Sequence, residues 1–264
     1  MGMDEIFFPG DSYVTPPGRS AFFASSFSTL YFLFKVAAII RHDGNLAMAG
    51  NYHDREWCEG SLGTLRNLER CGVRIHVEGM DAMNAVDGPC VFVSNHMSTL
   101  ETFVLPGFIQ PRKPVTFVVK KSLMQYPWFG PVLGTRDPIV LERQNPRKDL
   151  AAVLEGGEDR LKKGRSIIVF PQSTRSTTLD PAQFNSIGVK LAKRAGVPVI
   201  PVALRTDAWG IGSLIKDFGR INPAYPVRFA FGEPMTVSGN GKEEHAAVCE
   251  FIQERLRQWY LPEN

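Results

Sequence analysis

The sequence predicts an α/β protein: a central, largely parallel sheet flanked by helices, with an N-terminal membrane-associating helical segment. Three observations carry the prediction. From Val73 onward, short apolar runs alternate with longer amphipathic stretches, the pattern of strands and helices in one domain. Two of those runs, Val91-Phe92-Val93 and Ile167-Ile168-Val169-Phe170, are apolar at every position, as strands covered on both faces must be. Ahead of them, fifteen of the twenty residues from Ala21 to Ile40 are apolar, six of them aromatic.

Residues 1–20 read as a loose arm broken by Pro9, Gly10, Pro16, Pro17 and Gly18. They carry no basic stretch leading into an apolar one, so a cleavable signal peptide is not expected. Residues 21–71 are expected to be helical and membrane-associating. A helix over Ala21–Ile40 would reach about 30 Å. Ser25, Ser26, Ser28, Thr29 and Lys35 interrupt its apolar character, which favours a helix inserted partly or lying in the interface over one that spans. A soluble core helix is the alternative. A second helix is expected over 46–71, where Trp57, Leu62, Leu65 and Leu68 recur at helical spacing and Gly72 follows as a stop.

Residues 72–264 form the expected α/β domain. Its candidate strands are Val73–Glu78, Cys90–Ser94, Val115–Lys120, Ile139–Glu142, Ser166–Phe170, Val197–Leu204 and Val227–Phe231. Its candidate helices are Ser98–Ile109, Arg147–Lys163, Ala182–Ala195 and Glu243–Trp259. In such a sheet the chemistry sits in loops beyond the strand carboxyl ends.

The bulk numbers narrow the function classes. A net charge of +3 and a pI near 8.7 are mildly basic. That fits anionic partners such as phosphates or anionic lipid, but is too small for a nucleic-acid binder. Cys58, Cys71, Cys90 and Cys249 form no C-x-x-C pair, and the five histidines are scattered. No metal site and no disulfide framework is expected, and a reducing compartment is the simpler setting.

Two loops hold candidate chemistry. In Ser94-Asn95-His96-Met97-Ser98-Thr99-Leu100-Glu101, a histidine leaves a buried strand and a carboxylate follows five positions later. A turn can fold Glu101 onto the imidazole, fixing its tautomer and freeing the other nitrogen to take a proton. By spacing alone, such a pair is more often structural or solvated. In Phe170-Pro171-Gln172-Ser173-Thr174-Arg175-Ser176, a second buried strand ends in hydroxyls and an arginine, a set suited to gripping phosphate. A polar turn whose arginine pairs with a local acid is the plainer reading.

Together these segments resemble the glycerolipid acyltransferase family that includes bacterial 1-acylglycerol-3-phosphate acyltransferases. Four blocks, spread from 91 to 204, carry the resemblance. Asn95-His96 with Glu101 matches that family's Asn-His-x4-Asp. Lys120-Lys121-Ser122-Leu123, Pro127-Trp128-Phe129-Gly130 and Arg143 match its second block. Phe170 to Ser176 matches Phe-Pro-Glu-Gly-Thr-Arg-Ser, and Val197-Pro198-Val199-Ile200-Pro201-Val202 matches the fourth. The chain departs from the pattern at Glu101, one methylene longer than Asp, and at Gln172-Ser173, where the family has Glu-Gly.

The resemblance implies direct acyl transfer from a coenzyme A or acyl carrier protein thioester to a glycerolipid hydroxyl, most simply from lysophosphatidic acid to phosphatidic acid. His96 and Glu101 are the implied catalytic residues. The implied substrate-binding residues are Lys120, Lys121, Arg143, Gln172, Ser173, Thr174 and Arg175. Asn95, Pro127, Gly130, Phe170, Pro171 and Pro201 are structural. With Gln172 in place of a carboxylate, the acceptor site should be more positive than is usual for the family. No cofactor and no metal is implied, and no Gly-x-Ser-x-Gly elbow is present; Cys90 reads as core. The implied partners are membrane lipid and the acyl donor, with no nucleic acid, and the implied location is the cytoplasmic face of the membrane, peripheral or monotopic. Acylation of another lysolipid and a catalytically silent lipid-binding relative are the rival readings. The run Leu123–Phe129 either walls an acyl groove or touches lipid, or is core beneath a loop.

Overall fold

A computed structural model describes residues 8–172, 174–212 and 216–261. The helices α1 (Phe22–Ser26), α2 (Ser28–Met48) and α3 (Asp54–Arg70) precede an α/β domain. That domain contains β2 (Ile75–Glu78), β3 (Val91–Ser94), α4 (Leu100–Ile109), β4 (Val115–Lys120), α5 (Phe129–Gly134), β5 (Ile139–Leu141) and α6 (Pro146–Lys162). It continues through β6 (Ser166–Val169), α7 (Ile187–Ala195), β7 (Val199–Arg205), β8 (Val227–Phe231) and α8 (Lys242–Tyr260). With the short β1 (Tyr13–Val14), the strands form one sheet in the order β1-β2-β8-β7-β3-β6-β4-β5.

The expected strands form, with bounds shifted by a residue or two. From β7 to β5 the strands are parallel, so five carboxyl ends share one edge. The sheet is mixed beyond that: β8 runs antiparallel to β7, and β1 antiparallel to β2. β3, β6 and β7 are buried at every residue, which is why their sequences show no polar face.

Three expectations need correction. The arm is not loose over its described part. Tyr13 and Val14 pair with Val77 and His76, Tyr13 Oη donates to Glu69 at 2.6 Å, and Phe8 packs 5.0 Å from Phe108. It covers a strand edge that would otherwise be bare. The apolar run Ala21–Ile40 is not one helix. It breaks at Phe27, and the hydroxyls of Ser25 and Ser26 cap Phe22 O, competing with the helical ladder. The helix then runs past Ile40 to Met48, and Gly50, at φ 73°, is the stop. The second helix starts at Asp54 rather than 46, where Glu56 accepts from His53 N at 2.8 Å. Among the described residues, no helix is long and apolar enough to cross a membrane.

α2 lies against the carboxyl-end loops. Phe32 packs edge-on to Trp209 at 5.0 Å, and Ile221 N donates to Thr29 Oγ1 at 3.0 Å. Gly44 meets the Trp128 turn so closely that a Cβ there would lie 2.3 Å from the Trp128 Cβ. The opposite side of α1 and α2 leaves Phe22, Phe23, Phe27, Leu30 and Phe34 exposed.

Candidate active site

The site is built from the loops that follow β3, β6 and β7. Asn95, at the end of β3, is buried and pairs both ways with the Leu204 backbone of β7, at 2.8 and 2.9 Å. This side-chain clamp extends the β3–β7 pairing past its last strand residue and sets where the next residue, His96, leaves the sheet.

The His96 peptide is then held at both polar groups. Its N–H donates to Gln172 Oε1 at 2.6 Å, and its carbonyl accepts from Ser176 N at 2.9 Å. The ring stacks on Phe170, centroids 4.6 Å apart, and Phe170 in turn stacks on Phe117. His96 Nδ1 lies 2.7 Å from Glu101 Oε1. A carboxylate there accepts a hydrogen bond from Nδ1–H, which leaves the Nε2 lone pair as the basic position.

Glu101 is fully buried and hydrogen-bonded on all sides. Besides His96, it accepts from Met97 N at 2.7 Å, Ser98 N at 3.0 Å, Ser98 Oγ at 3.1 Å and Thr206 Oγ1 at 2.6 Å. Burial alone pushes the carboxyl up. The His96 hydrogen bond and charge, with Thr206 and the backbone N–H groups, outweigh it and hold the group below the usual carboxylate range. A buried anion beside an imidazole in this way stabilises the imidazolium that forms when Nε2 takes a proton. The extra methylene of Glu relative to Asp is accommodated, since both oxygens reach partners.

Arg175 comes to the same loop. Its guanidinium donates to Thr99 Oγ1 and pairs with Asp217 Oδ1 at 2.6 Å. A carboxylate from the segment after β7 lies on the arginine and offsets its charge. Gln172 needs correction. It was expected to bind the acceptor, but its side chain is buried against the His96 peptide and reaches Thr178 O at 3.5 Å. An amide spent on the backbone is not presented to a ligand.

The remaining residues fall as follows. Thr174 is exposed, and Ser173 lies outside the described residues. Pro171 O accepts from Asn185 Nδ2. Pro201 is buried in β7 opposite Val93 and accepts from Gly232 N. Pro127 turns the chain, and at Gly130 a Cβ would lie 2.1 Å from Met124 O, so only glycine fits. Lys120 is exposed, and Lys121 pairs with Glu142 at 2.6 Å on the surface. Arg143 is not brought to His96: it is exposed after β5, three strands from β3, about 14 Å at ordinary strand spacing. Tyr126 and Trp128 are exposed, while Leu123, Met124 and Phe129 pack on the core, so that run divides between the two readings.

Cys90 is buried and its thiol is pushed up to about 11 by burial, a core thiol rather than a nucleophile. Among the described residues, no three His, Cys, Asp or Glu side chains converge as a metal's ligands would. Sequence reasoning missed Ser98 and Thr206 as partners of Glu101, and Asp217 as the partner of Arg175. Nothing in their local sequence marks them.

Fold and site together place a histidine against a buried carboxylate at the carboxyl edge of an α/β sheet. A family model described as acyltransferase matches residues 74–205. The 1-acyl-sn-glycerol-3-phosphate acyltransferase of Pseudomonas aeruginosa is 36% identical over 203 residues, covering 76% of each chain. The Escherichia coli K12 enzyme of the same name is 29% identical over 171 residues, 64% of this chain and 66% of that one. The crystal structure of the 1-acyl-sn-glycerophosphate (LPA) acyltransferase PlsC from Thermotoga maritima has a similar fold. Its TM-score is 0.69 at 21% identity, with 92% of this chain and 98% of that chain covered. The chain belongs to the acyltransferase family, and it is an O-acyltransferase.

Proposed function

We propose that this enzyme acylates the free hydroxyl of a lysophosphatidic-acid-type acceptor, drawing the acyl group from a coenzyme A or acyl carrier protein thioester, with His96 as general base. The observation that carries the reading is the 2.7 Å contact between His96 Nδ1 and a wholly buried Glu101. His96 Nε2 takes the hydroxyl proton as the acceptor oxygen bonds to the thioester carbonyl carbon. Collapse of that adduct breaks the C–S bond, and the imidazolium returns the proton to the leaving thiolate. The products are an ester and a free thiol, and no acyl-enzyme is needed. Arg175, joined to the His96 loop through Thr99, is suited to the acceptor phosphate. The relatives' name, 1-acyl-sn-glycerol-3-phosphate acyltransferase, supports this acceptor.

The reaction is proposed to run at the cytoplasmic face of a membrane. The exposed Phe22, Phe23, Phe27, Leu30 and Phe34 form an apolar stripe on α1 and α2, the kind of face that settles into a lipid interface. α2 packs directly on the loop that carries Asp217, which brings that interface beside the site.

The experiment is acyl transfer by purified protein from acyl-CoA and from acyl carrier protein to lysophosphatidic acid and to neutral lysolipids. His96→Ala should lower kcat about a hundred- to ten-thousand-fold without loss of fold. Near-full turnover in His96→Ala would remove the histidine from the mechanism. Transfer only to another lysolipid would replace the acceptor assignment.

A further inference from the structure

Arg175 differs from the structural arginines of this fold. Arg136 is buried, ion-paired to Asp54 at 2.6 Å, hydrogen-bonded to Thr135 and Tyr52 O, and stacked on Tyr52 and Trp57. Arg205 is similarly enclosed by Asp207, Trp259 O and the rings of Tyr225 and Tyr260. Among the described residues Arg175 makes two polar contacts, both to side chains on other loops: Thr99 Oγ1 through Nη1 and Asp217 Oδ1 through Nη2. The Asp217 carboxylate also lies 3.5 Å from Thr99 Oγ1. Both members of the pair keep solvent access, at 19% and 31% of side-chain area. The pairing is through one carboxylate oxygen, not a two-point fork. Of five guanidinium N–H donors, these contacts use two.

We propose that Asp217 is a displaceable counter-ion for Arg175: it occupies the guanidinium between turnovers, gives way to the acceptor phosphate, and recaptures the arginine as the acylated product leaves. The inference rests on the phosphate-bearing acceptor proposed above. Substrate and product of that reaction carry the same phosphomonoester, so a bare arginine would hold both. Tighter binding that is equal in both states lowers KM without aiding the chemical step, and it slows product release. A partly exposed carboxylate competes without shutting the site, because its pair is weak and solvent-screened. The phosphomonoester exceeds it, with nearly two negative charges above a second pKa of about 6 and three acceptor oxygens. An acceptor without phosphate offers nothing for which Arg175 would leave Asp217.

The test is Asp217→Asn, which keeps the shape and removes the charge. KM for lysophosphatidic acid should fall about threefold to fivefold, the size expected of a partly exposed pair. The inhibition constant of phosphatidic acid should fall by the same factor, and a neutral lysolipid should show no such gain. In Arg175→Ala the abandoned carboxylate repels phosphate, so Arg175→Ala/Asp217→Asn should recover part of the KM lost by Arg175→Ala. An unchanged or raised KM for lysophosphatidic acid in Asp217→Asn would overturn the proposal, a rise meaning that Asp217 only orients Arg175. An equal gain on both acceptors would also overturn it. If wild-type enzyme shows no preference for the phosphate-bearing acceptor and Arg175→Ala leaves its KM alone, the acceptor reading fails first and this inference with it. A strong Arg175→Ala effect without the Asp217→Asn gain fails this inference alone.

Discussion

Thr206→Val tests whether the hold on Glu101 supports His96 in its proposed role as base. Thr206 lies just past β7, and its hydroxyl donates at 2.6 Å to the Glu101 oxygen that does not face His96. Valine has nearly the same shape, so the change deletes the bond to Glu101 and the 3.0 Å contact from Ser98 Oγ, and little else. A hydrogen bond to a charged group contributes about 1.5–3 kcal/mol. Glu101 keeps four other donor groups, so the carboxylate stays buried and ionised but less firmly placed. If half of the lost bond appears in the transition state, kcat falls about fourfold to thirteenfold. KM for the acceptor should be unchanged. The Thr206 bond is one of the contacts that depress the Glu101 carboxyl, so its loss raises that group. The sign follows: a depressed carboxyl supports the folded, ionised state above its unfolded value, and this support disappears as pH falls through the folded value. In Thr206→Val that support is smaller and is gone at a higher pH. Steady-state kcat at pH 7.5 and thermal unfolding followed down to pH 3 read the two effects, with Thr206→Ser as the control that keeps the hydroxyl. Wild-type kcat together with unchanged acid unfolding in Thr206→Val would refute the reasoning.

Three other outcomes are expected. Gln172→Glu should retain most activity, since a carboxylate still accepts the His96 N–H, whereas Gln172→Leu strands that buried donor at about 1–3 kcal/mol and should lower kcat at least about fivefold; parallel rates would show that Gln172 does not position His96. Asp43 sits between α2 and α3 facing His42, Glu56 and Glu59, with Tyr52 Oη at 3.2 Å, and burial raises its carboxyl to about 6 despite that hydrogen bond. Its contribution to folding is present below about pH 4 and lost as pH rises through about 6, so Asp43→Asn should raise Tm at pH 7.5, by on the order of 2 kcal/mol of stability, and do little at pH 4.5; equal gains at both would refute this. Changing Phe22, Leu30 and Phe34 together to Gln should lower binding to anionic vesicles at least about tenfold with Tm nearly unchanged; wild-type partitioning would mean that the stripe does not meet lipid.

The sheet was legible because burial on both faces writes itself as unbroken apolar runs, as in Val91-Phe92-Val93. What the sequence hid depends on partners far along the chain. Tyr13 and Val14 read as loop until Val77 and His76 are placed beside them. The antiparallel setting of β8 follows from how the chain returns after β7, which no local period encodes. The same holds in the site. His96 and Glu101 are five residues apart and could be read as a pair. Thr206 reaches Glu101 across 105 residues, and Asp217 reaches Arg175 across 42. Each is an ordinary polar residue in its own segment and gains a role only through the common edge where β3, β6 and β7 end.

Gln172 shows how a change of residue type can preserve a site. The resemblance compares side chains, and by that measure a neutral amide in place of a carboxylate is a loss of charge beside Arg175. The geometry asks something else of the position: one oxygen, 2.6 Å from the His96 peptide nitrogen. Glutamine and glutamate both supply it. The amide also puts Nε2 toward Thr178 O, closing the loop on itself, where a carboxylate would face a carbonyl of like polarity. Glu101 is already a buried anion on the far side of the imidazole, and a second one at the peptide of His96 would raise the cost of burying both. A neutral residue at 172 avoids that repulsion. The carboxylate near Arg175 then comes from Asp217, outside the loop that carries the arginine. There it can separate from the guanidinium without disturbing the His96 peptide.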